Sequence, residues 1–387
     1  MHIGINYTAA LRQGAGIGRY TRGLIDALAR LDQANRYTLL ITGDSPQDRL
    51  PPFPDNFQIK VLPLPERLLT ILWHRLYLPL YVDVWAGPFD LFHSPDFVLP
   101  PLRNTPGLLT VHDLSFMMHP DGAVEKLRNW LNKVVPRSIA RADHILADSR
   151  STQRDLETAL GVPHEKITVV GAGVEPRFQP VTDEAKLAQV RQTYKLPPDF
   201  ILGLGTLEPR KNFTGLIQAF NRLQVEFPDL HLVIGGGKGW LYEPILEAAR
   251  QSPAAERIHL IGFVADDDLP ALYSLAHIFA YPSHYEGFGI PVLEAMACGT
   301  PVITANNSSL PEVAGEAALL VPAADTDALV GRIRELCVNP RLREACISSG
   351  FEQARGYSWE QAARNLLAVY KAKSQPAQPH KRSIISL

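Results

Sequence analysis

Apolar positions along the chain fall into two alternating kinds of segment. Short unbroken apolar runs occur at Ile3–Asn6, Tyr37–Thr42, Phe57–Leu62, Asp90–His93, Gly107–Val111, His144–Ala147 and Ile167–Val170. A second series follows at Phe200–Leu204, His231–Ile234, Ile258–Ile261, His277–Tyr281, Pro301–Thr304 and Ala318–Val321. Runs of this length without alternation predict strands buried on both faces. Between them, apolar residues recur every third or fourth position. Ile17, Tyr20, Leu24, Leu28 and Leu31 make one such stripe, and Leu216, Ile217, Phe220 and Leu223 another. That spacing predicts amphipathic helices. Strand and helix in alternation predict α/β architecture, with parallel sheets covered on both faces. Ligands of such sheets sit beyond the carboxyl ends of the strands.

The pattern is interrupted once. Val169–Pro180 (VVGAGVEPRFQP) is rich in glycine and proline, and a polar helical connector, Val181–Pro198, follows it. Such composition suits a boundary, so two doubly wound Rossmann-like domains are expected, 1–178 and 179–356. Tyr357-Ser358-Trp359-Glu360 opens a last helix with Ala362, Leu366, Val369 and Tyr370 as its stripe. The tail, 374–387, is proline, glutamine and basic residues, and disorder is expected there. Leu68–Tyr81 (LLTILWHRLYLPLY) is apolar, aromatic and partly basic. A core-packed helix is its simplest reading; a membrane-facing or acceptor-lining segment is the alternative.

Composition narrows the function classes. A chain of 387 residues with 46% hydrophobic and 20% charged residues is a globular composition. A net charge of -2 gives no electrostatic footprint for nucleic acid. Cys298, Cys337 and Cys346 have no metal-ligand spacing and fit a reducing compartment. The opening MHIGINYTAAL lacks the basic region and apolar core of a signal peptide.

Candidate chemistry collects at strand ends. Ser283–Gly299 reads as a strand end, then a loop with Glu286, Gly287, Phe288 and Gly289, then a helix starting at Ile290-Pro291. Proline suits a first helical turn, and the free N–H groups there favour an anion. Glu286 precedes that helix and Glu294 lies one turn inside it. Amides for a phosphate and acids for hydroxyls suit a sugar nucleotide. An ordinary turn, with one solvated glutamate and one at the favourable end of the dipole, fits the same residues. Gly205-Thr206-Leu207-Glu208-Pro209-Arg210-Lys211-Asn212 sets two cations before a helix, where the dipole gives them no benefit. A bound diphosphate explains them, and solvated surface charge is the plainer alternative. Gly14, Gly16 and Gly18 after the first strand suit either a phosphate approach or a tight turn. They do not complete a dinucleotide fingerprint. His93 with Ser94, His112 with Asp113, and Asp148 with Ser149 fall at three further strand ends. Asp266–Asp268, being consecutive, reads as a helix cap rather than a metal site.

Glu286 and Glu294, with seven residues between them in EGFGIPVLEA, resemble the signature of the retaining glycosyltransferases of family 4, which have the GT-B fold. GTLEPRKN resembles that family's basic phosphate loop, and Gly262-Phe263-Val264 its nucleobase loop. His112-Asp113 resembles its histidine at the donor sugar. The likeness covers about residues 1–372. It implies transfer of a hexose, mannose among them, from a nucleotide-diphosphate sugar to a hydroxyl of a glycan or lipid-linked acceptor. It implies same-face attack, the departing phosphate taking the acceptor proton, with no metal and no cofactor. Arg210, Lys211, Glu286 and His112 are then expected at the reacting centre. Gly16, Gly205, Val264, Phe288, Gly289, Ile290 and Glu294 are expected to hold the donor, and His93 and Asp113 to face the acceptor. The last helix, 357–372, should cross back onto the first domain. A cytoplasmic location is expected, with peripheral contact at the inner membrane face. A nucleotide-sugar epimerase or hydrolase on the same fold, or an inactive scaffold, are the alternatives.

Overall fold

The computed structural model describes residues 1–14 and 16–374. The expected disorder of the tail concerns residues that, from 375 on, lie outside the described ones. Thirteen strands form two sheets among the described residues. The first holds β1 (His2–Asn6), β2 (Arg36–Ile41), β3 (Phe57–Val61), β4 (Leu91–Ser94), β5 (Gly107–Val111), β6 (His144–Ala147) and β7 (Ile167–Val169). Its order is β3-β2-β1-β4-β5-β6-β7. The second holds β8 (Phe200–Leu204), β9 (His231–Gly235), β10 (Ile258–Gly262), β11 (Ile278–Tyr281), β12 (Val302–Ala305) and β13 (Ala318–Val321), in the order β10-β9-β8-β11-β12-β13. Every pairing is parallel. The strand order reverses between β1 and β4 and again between β8 and β11, which opens a crevice at each carboxyl edge.

The central strands are apolar because helices cover both faces, while of the edge strands β3 is largely and β10 partly exposed. β5 and β8 are buried at every position. One apolar cluster runs from Ile3, Leu24 and Leu39 through Val170 and Phe178 of the crossover to Phe200, Tyr273 and Val292. Trp359, Leu366 and Tyr370 of the last helix, Trp359–Lys373, belong to it. That helix packs on Ile17–Leu31 of the first domain. Gly23 makes the approach: a Cβ there would lie 2.4 Å from the Trp359 ring. The outer faces form separate clusters, one around Leu109 and Phe116, the other around Ile217 and Phe220.

Two segments differ from the pattern's simplest reading. Leu68–Tyr81 is not one core-packed helix. A helix at Glu66–Thr70 widens into a π turn at Ile71–Arg75 and then runs on irregularly. Leu69 and Trp73 face the interior, while Leu76, Tyr77 and Leu78 are exposed. Asp268 is not a side-chain cap either. Its carboxylate accepts from Lys186 Nζ (2.6 Å) and Tyr194 Oη (2.8 Å), pinning the connector helix Glu184–Tyr194 to the second domain.

Candidate active site

The loop after β8 carries the charge. Asn212 adopts a left-handed conformation (φ 54°), and its Oδ1 accepts from Gly215 N (3.2 Å), capping the helix Phe213–Leu223. That cap tightens Pro209–Lys211 into a 3₁₀ turn and directs Arg210 and Lys211 inward. Arg210 Nη1 donates to Glu286 Oε2 (2.7 Å) and to the Tyr285 carbonyl (2.8 Å), and Nη2 donates to Glu208 Oε1 (2.6 Å). Lys211 Nζ donates to Glu286 Oε1 (2.7 Å) and Tyr281 Oη (2.6 Å). One carboxylate therefore spans two cations. Burial would raise the Glu286 pKa, but Arg210 and Lys211 outweigh it and hold it at about 2. Burial lowers that of Lys211.

The Glu286 loop ends in a helix start with no side-chain cap. Gly289 (φ 114°) begins Ile290–Ala297. The helices at Arg150–Leu160 and Phe213–Leu223 are capped by Ser149 and Asn212, whereas this start, like those of Ile17–Leu31 and Glu125–Arg141, leaves its first N–H groups without a side-chain acceptor, as an anion site requires. Its loop is held by the next one: Ser308 Oγ accepts from Glu286 N (2.9 Å), and the single Ser309 hydroxyl lies within donating distance of the carbonyls of Phe288 (2.6 Å) and Glu286 (2.9 Å). Phe288 is buried and stacks edge-on against Tyr357. Gly205 sits beside Lys211, and a Cβ on Gly236 would lie 1.8 Å from the Gly205 carbonyl. Val264 is buried and Phe263 is 70% exposed at the loop after β10.

The first domain closes the other wall. A Cβ on Gly287 would lie 2.1 Å from the His112 carbonyl. Thr152 Oγ1 reaches that carbonyl (3.1 Å) and that of Gly287 (3.4 Å). Tyr285 Oη donates to Asp155 (2.5 Å), and Trp240 Nε1 to the Gly122 carbonyl (2.6 Å). The Asp113 carboxylate accepts from Ser115 N (2.8 Å) beside the same contact. The His112 ring is engaged within its own domain, with Nδ1 2.7 Å from Asp148 Oδ2 and Nε2 3.3 Å from the Pro95 carbonyl. Burial would lower its pKa, but Asp148 outweighs that and raises it to about 9.

His93 does not face an acceptor. It is 0% exposed, with its ring nitrogens 2.8 Å from Tyr370 Oη and 2.8 Å from Thr110 Oγ1. The crossing helix covers it, so a residue at a strand end became a core contact. Glu294 is deep as well. It is 1% exposed, accepts from Tyr273 Oη (3.0 Å) and pairs with Arg19 of the first domain. Gly16 (φ 44°) and Gly18 form the turn that delivers Arg19; a Cβ on Gly18 would lie 1.9 Å from the Gln13 carbonyl. Ser308 and Ser309 belong to a polar loop, Asn306–Glu312, that the sequence places at the same sheet edge; Arg19 and Tyr273 carried no comparable signal, since each matters only through what faces it.

A cavity of about 250 Å³ lies between the helix Ile17–Leu31 and the crossover, lined by Arg19, Arg22, Asp26, Glu175, Arg177 and Asp266. A smaller one of about 50 Å³ opens at the carboxyl edge of β1, β2 and β4, between Asn6, Thr42, Glu66, Trp73 and Asp96. Among the described residues no group of three or more His, Cys, Asp or Glu is placed to hold a metal ion.

Comparison with known proteins agrees with this architecture. Residues 14–178 match Glycosyltransferase Family 4, and residues 188–353 match Glycosyl transferases group 1. The chain is 32% identical to O-antigen chain mannosyltransferase B of Escherichia coli over 92% of its own length and 96% of that protein's. Its fold is similar to that of sucrose-phosphate synthase from Thermosynechococcus elongatus, with a TM-score of 0.76, 20% identity and coverage of 96% and 98% of the two chains. It is also similar to Anabaena HepE in complex with UDP and glucose, with a TM-score of 0.72, 15% identity and coverage of 96% and 99%. Two parallel-sheet domains meeting at a cationic, carboxylate-bridged cleft, and likeness over nearly the whole chain, place this protein among the family 4 (group 1) glycosyltransferases.

Proposed function

We propose that this glycosyltransferase moves a mannosyl residue from a nucleotide-diphosphate sugar to a hydroxyl of a glycan or lipid-linked acceptor, with retention at the anomeric carbon. The observation that carries the reading is the Glu286 carboxylate held between Arg210 and Lys211 beside an uncapped helix start. Preorganised cations in a buried site stabilise charge growing on a departing diphosphate. In this reading the acceptor oxygen bonds to the anomeric carbon as the bond to the diphosphate oxygen breaks. That oxygen keeps the electron pair and takes the acceptor proton on the same face. Glu294 holds the ribose hydroxyls, and Glu286 orients the two cations and faces the sugar. No metal is needed where two cations already meet the diphosphate. The mannosyl assignment comes from the name of the E. coli relative.

The acceptor side is read from Leu68–Tyr81. The segment contributes Trp73 to the small cavity on one side. On the other side it exposes Leu76 and Tyr77, with Arg137 4.7 Å above the Tyr77 ring. Exposed apolar side chains beside cations suit peripheral contact with an anionic lipid surface. Among the described residues no helix is long and apolar enough to cross a membrane.

The test is incubation of the purified chain with a panel of nucleotide sugars and a mannose-terminated acceptor, with and without chelator, and proton NMR of the product. An α-linked product from an α-linked donor, unaffected by chelator, is expected. Donor consumption without acceptor would favour an epimerase or hydrolase instead.

A further inference from the structure

Two buried histidines occupy neighbouring strand ends of the first domain, and their partners differ in kind. His93 faces two hydroxyls, of Tyr370 and Thr110, each able to donate or accept. A neutral ring satisfies both. His112 faces a carboxylate oxygen of Asp148 at 2.7 Å and the Pro95 carbonyl at 3.3 Å. Neither can donate when Asp148 is ionised, so both ring nitrogens must carry hydrogen to satisfy them. Asp148 is 5% exposed, and its other oxygen, Oδ1, is buried with no partner among the described residues. A carboxylate so placed is costly unless a full charge compensates it.

We propose that Asp148 is a positioning residue of the transfer reaction, holding His112 as a doubly protonated cation of fixed orientation behind the wall that meets the Glu286 loop. The inference rests on the proposed transfer for its consequence, but not for the charge itself. His112 then enters the reaction as a permanent positive charge, neither acid nor base. Its carbonyl abuts Gly287, while its ring is turned into its own domain toward Asp148 and the Pro95 carbonyl, so the charge lies directly behind the first-domain wall of the cleft. Preorganised charge of this kind costs no reorganisation during reaction.

The surroundings agree with a cation. Asp96, on the loop after β4, adds a second nearby carboxylate, and Asp113 adjoins in sequence. His93, on β4, opposes the charge only if protonated, and burial lowers its pKa to about 3. Tyr20 of the helix Ile17–Leu31 and Phe97 present ring contacts at 5.0 and 5.7 Å. The balance leaves His112 raised to about 9 against an ordinary value near 6.5.

The first measurement is nitrogen NMR of the ¹⁵N-histidine-labelled chain, with the His112 signals assigned from His112→Gln. Both His112 nitrogens should keep protonated-type shifts up to pH 8 while His93 stays neutral. A neutral His112 at pH 7 overturns the proposal, whatever the chain's activity. The second measurement is the pH dependence of kcat and donor KM for the parent, Asp148→Asn and Asp148→Glu. The parent profile should be flat from pH 6 to 8. Asp148→Asn should lose roughly tenfold or more in kcat at pH 8, regain it in part toward pH 5.5, and change donor KM little. Asp148→Glu should restore much of the flat profile. A flat profile with parent-like kcat in Asp148→Asn would show that the charge has no part in the reaction. Should Asp148→Asn fail to fold, the parent spectrum and the Asp148→Glu profile decide; a Glu variant whose kcat still falls between pH 6 and 8 counts against positioning by the carboxylate. Absence of any transfer by the parent would remove the proposed function while leaving the NMR result intact.

Discussion

Lys211 and Arg210 share one carboxylate, yet they are not interchangeable. Lys211 is the more enclosed: Tyr281 and Glu286 take two of its three protons, and in the proposed reading the third meets a phosphate oxygen. Lys211→Ala is expected to lower kcat by about 10²–10³, the usual effect of losing one preorganised electrostatic donor. A variant within twofold of the parent would show that Lys211 serves the fold alone. The two glutamates should fail differently. In the proposed reading Glu294 holds the ribose, a part of the donor that does not react, so Glu294→Gln should raise the Kd for the bare nucleoside diphosphate. Glu286→Gln should leave that Kd near the parent value while kcat and kcat/KM fall together. Calorimetry on both variants separates the roles, and equal losses would refute the division. Arg19 adds a stability test. Arg19→Ala leaves the buried Glu294 with Tyr273 alone, which should cost about 3–5 kcal/mol, as for other broken buried pairs. Adding Glu294→Gln should recover part of it in urea denaturation; additive losses would mean the pair is not coupled.

At the scale of elements, the candidate active site is a contact between two loops on different sheets. The loop after β5 presents the His112 carbonyl and the loop after β11 presents Gly287, with no room between them for a Cβ. Gly287→Ala should therefore hold the two walls apart without disturbing either core. A misplacement of about 1 Å can cost about 10² in rate, so kcat/KM should fall by about that factor while the thermal midpoint stays near the parent's. A drop in midpoint comparable to that of a core truncation would mean the glycine serves packing instead. The same scale explains Leu68–Tyr81. Its period is not helical throughout, because the segment serves a cavity wall and an exposed face in turn.

For the whole molecule, buried histidines make stability depend on pH in both directions. His74 and His144 are lowered to about 4 and His93 to about 3, in each case chiefly by burial. Their unfolded forms bind protons below about 6.5, so stability should fall as pH drops from there through those values. His112 has the opposite sign. Raised to about 9, it contributes fully below about 6.5, and its contribution is lost as pH rises through 9. The gap corresponds to about 3 kcal/mol. Urea midpoints should thus peak near pH 6.5, and Asp148→Asn should flatten the alkaline limb only. An alkaline limb unchanged in that variant would show that another group causes it.

The sequence by itself determined the strands and where the charged loops of the second domain lie. Short apolar runs predict strands, and each expected run is a strand within a residue or two, although at the sheet edges β3 is largely and β10 partly exposed rather than covered on both faces. Arg210 with Lys211 and Glu286 with Glu294 stood out as candidates because each pair lies in its own short loop-to-helix segment; that the two segments meet through Glu286 came from the fold. What lies across the cleft was not legible. Arg19 sits 275 residues from Glu294, and Tyr370 lies 277 from His93. No periodicity reports which side chain a crossing helix will cover. Only the tertiary structure could decide that His93 is core, that Glu294 is paired, and that His112 faces a carboxylate. Burial and partner, which set each group's charge and access, belong to the packing of one domain on the other.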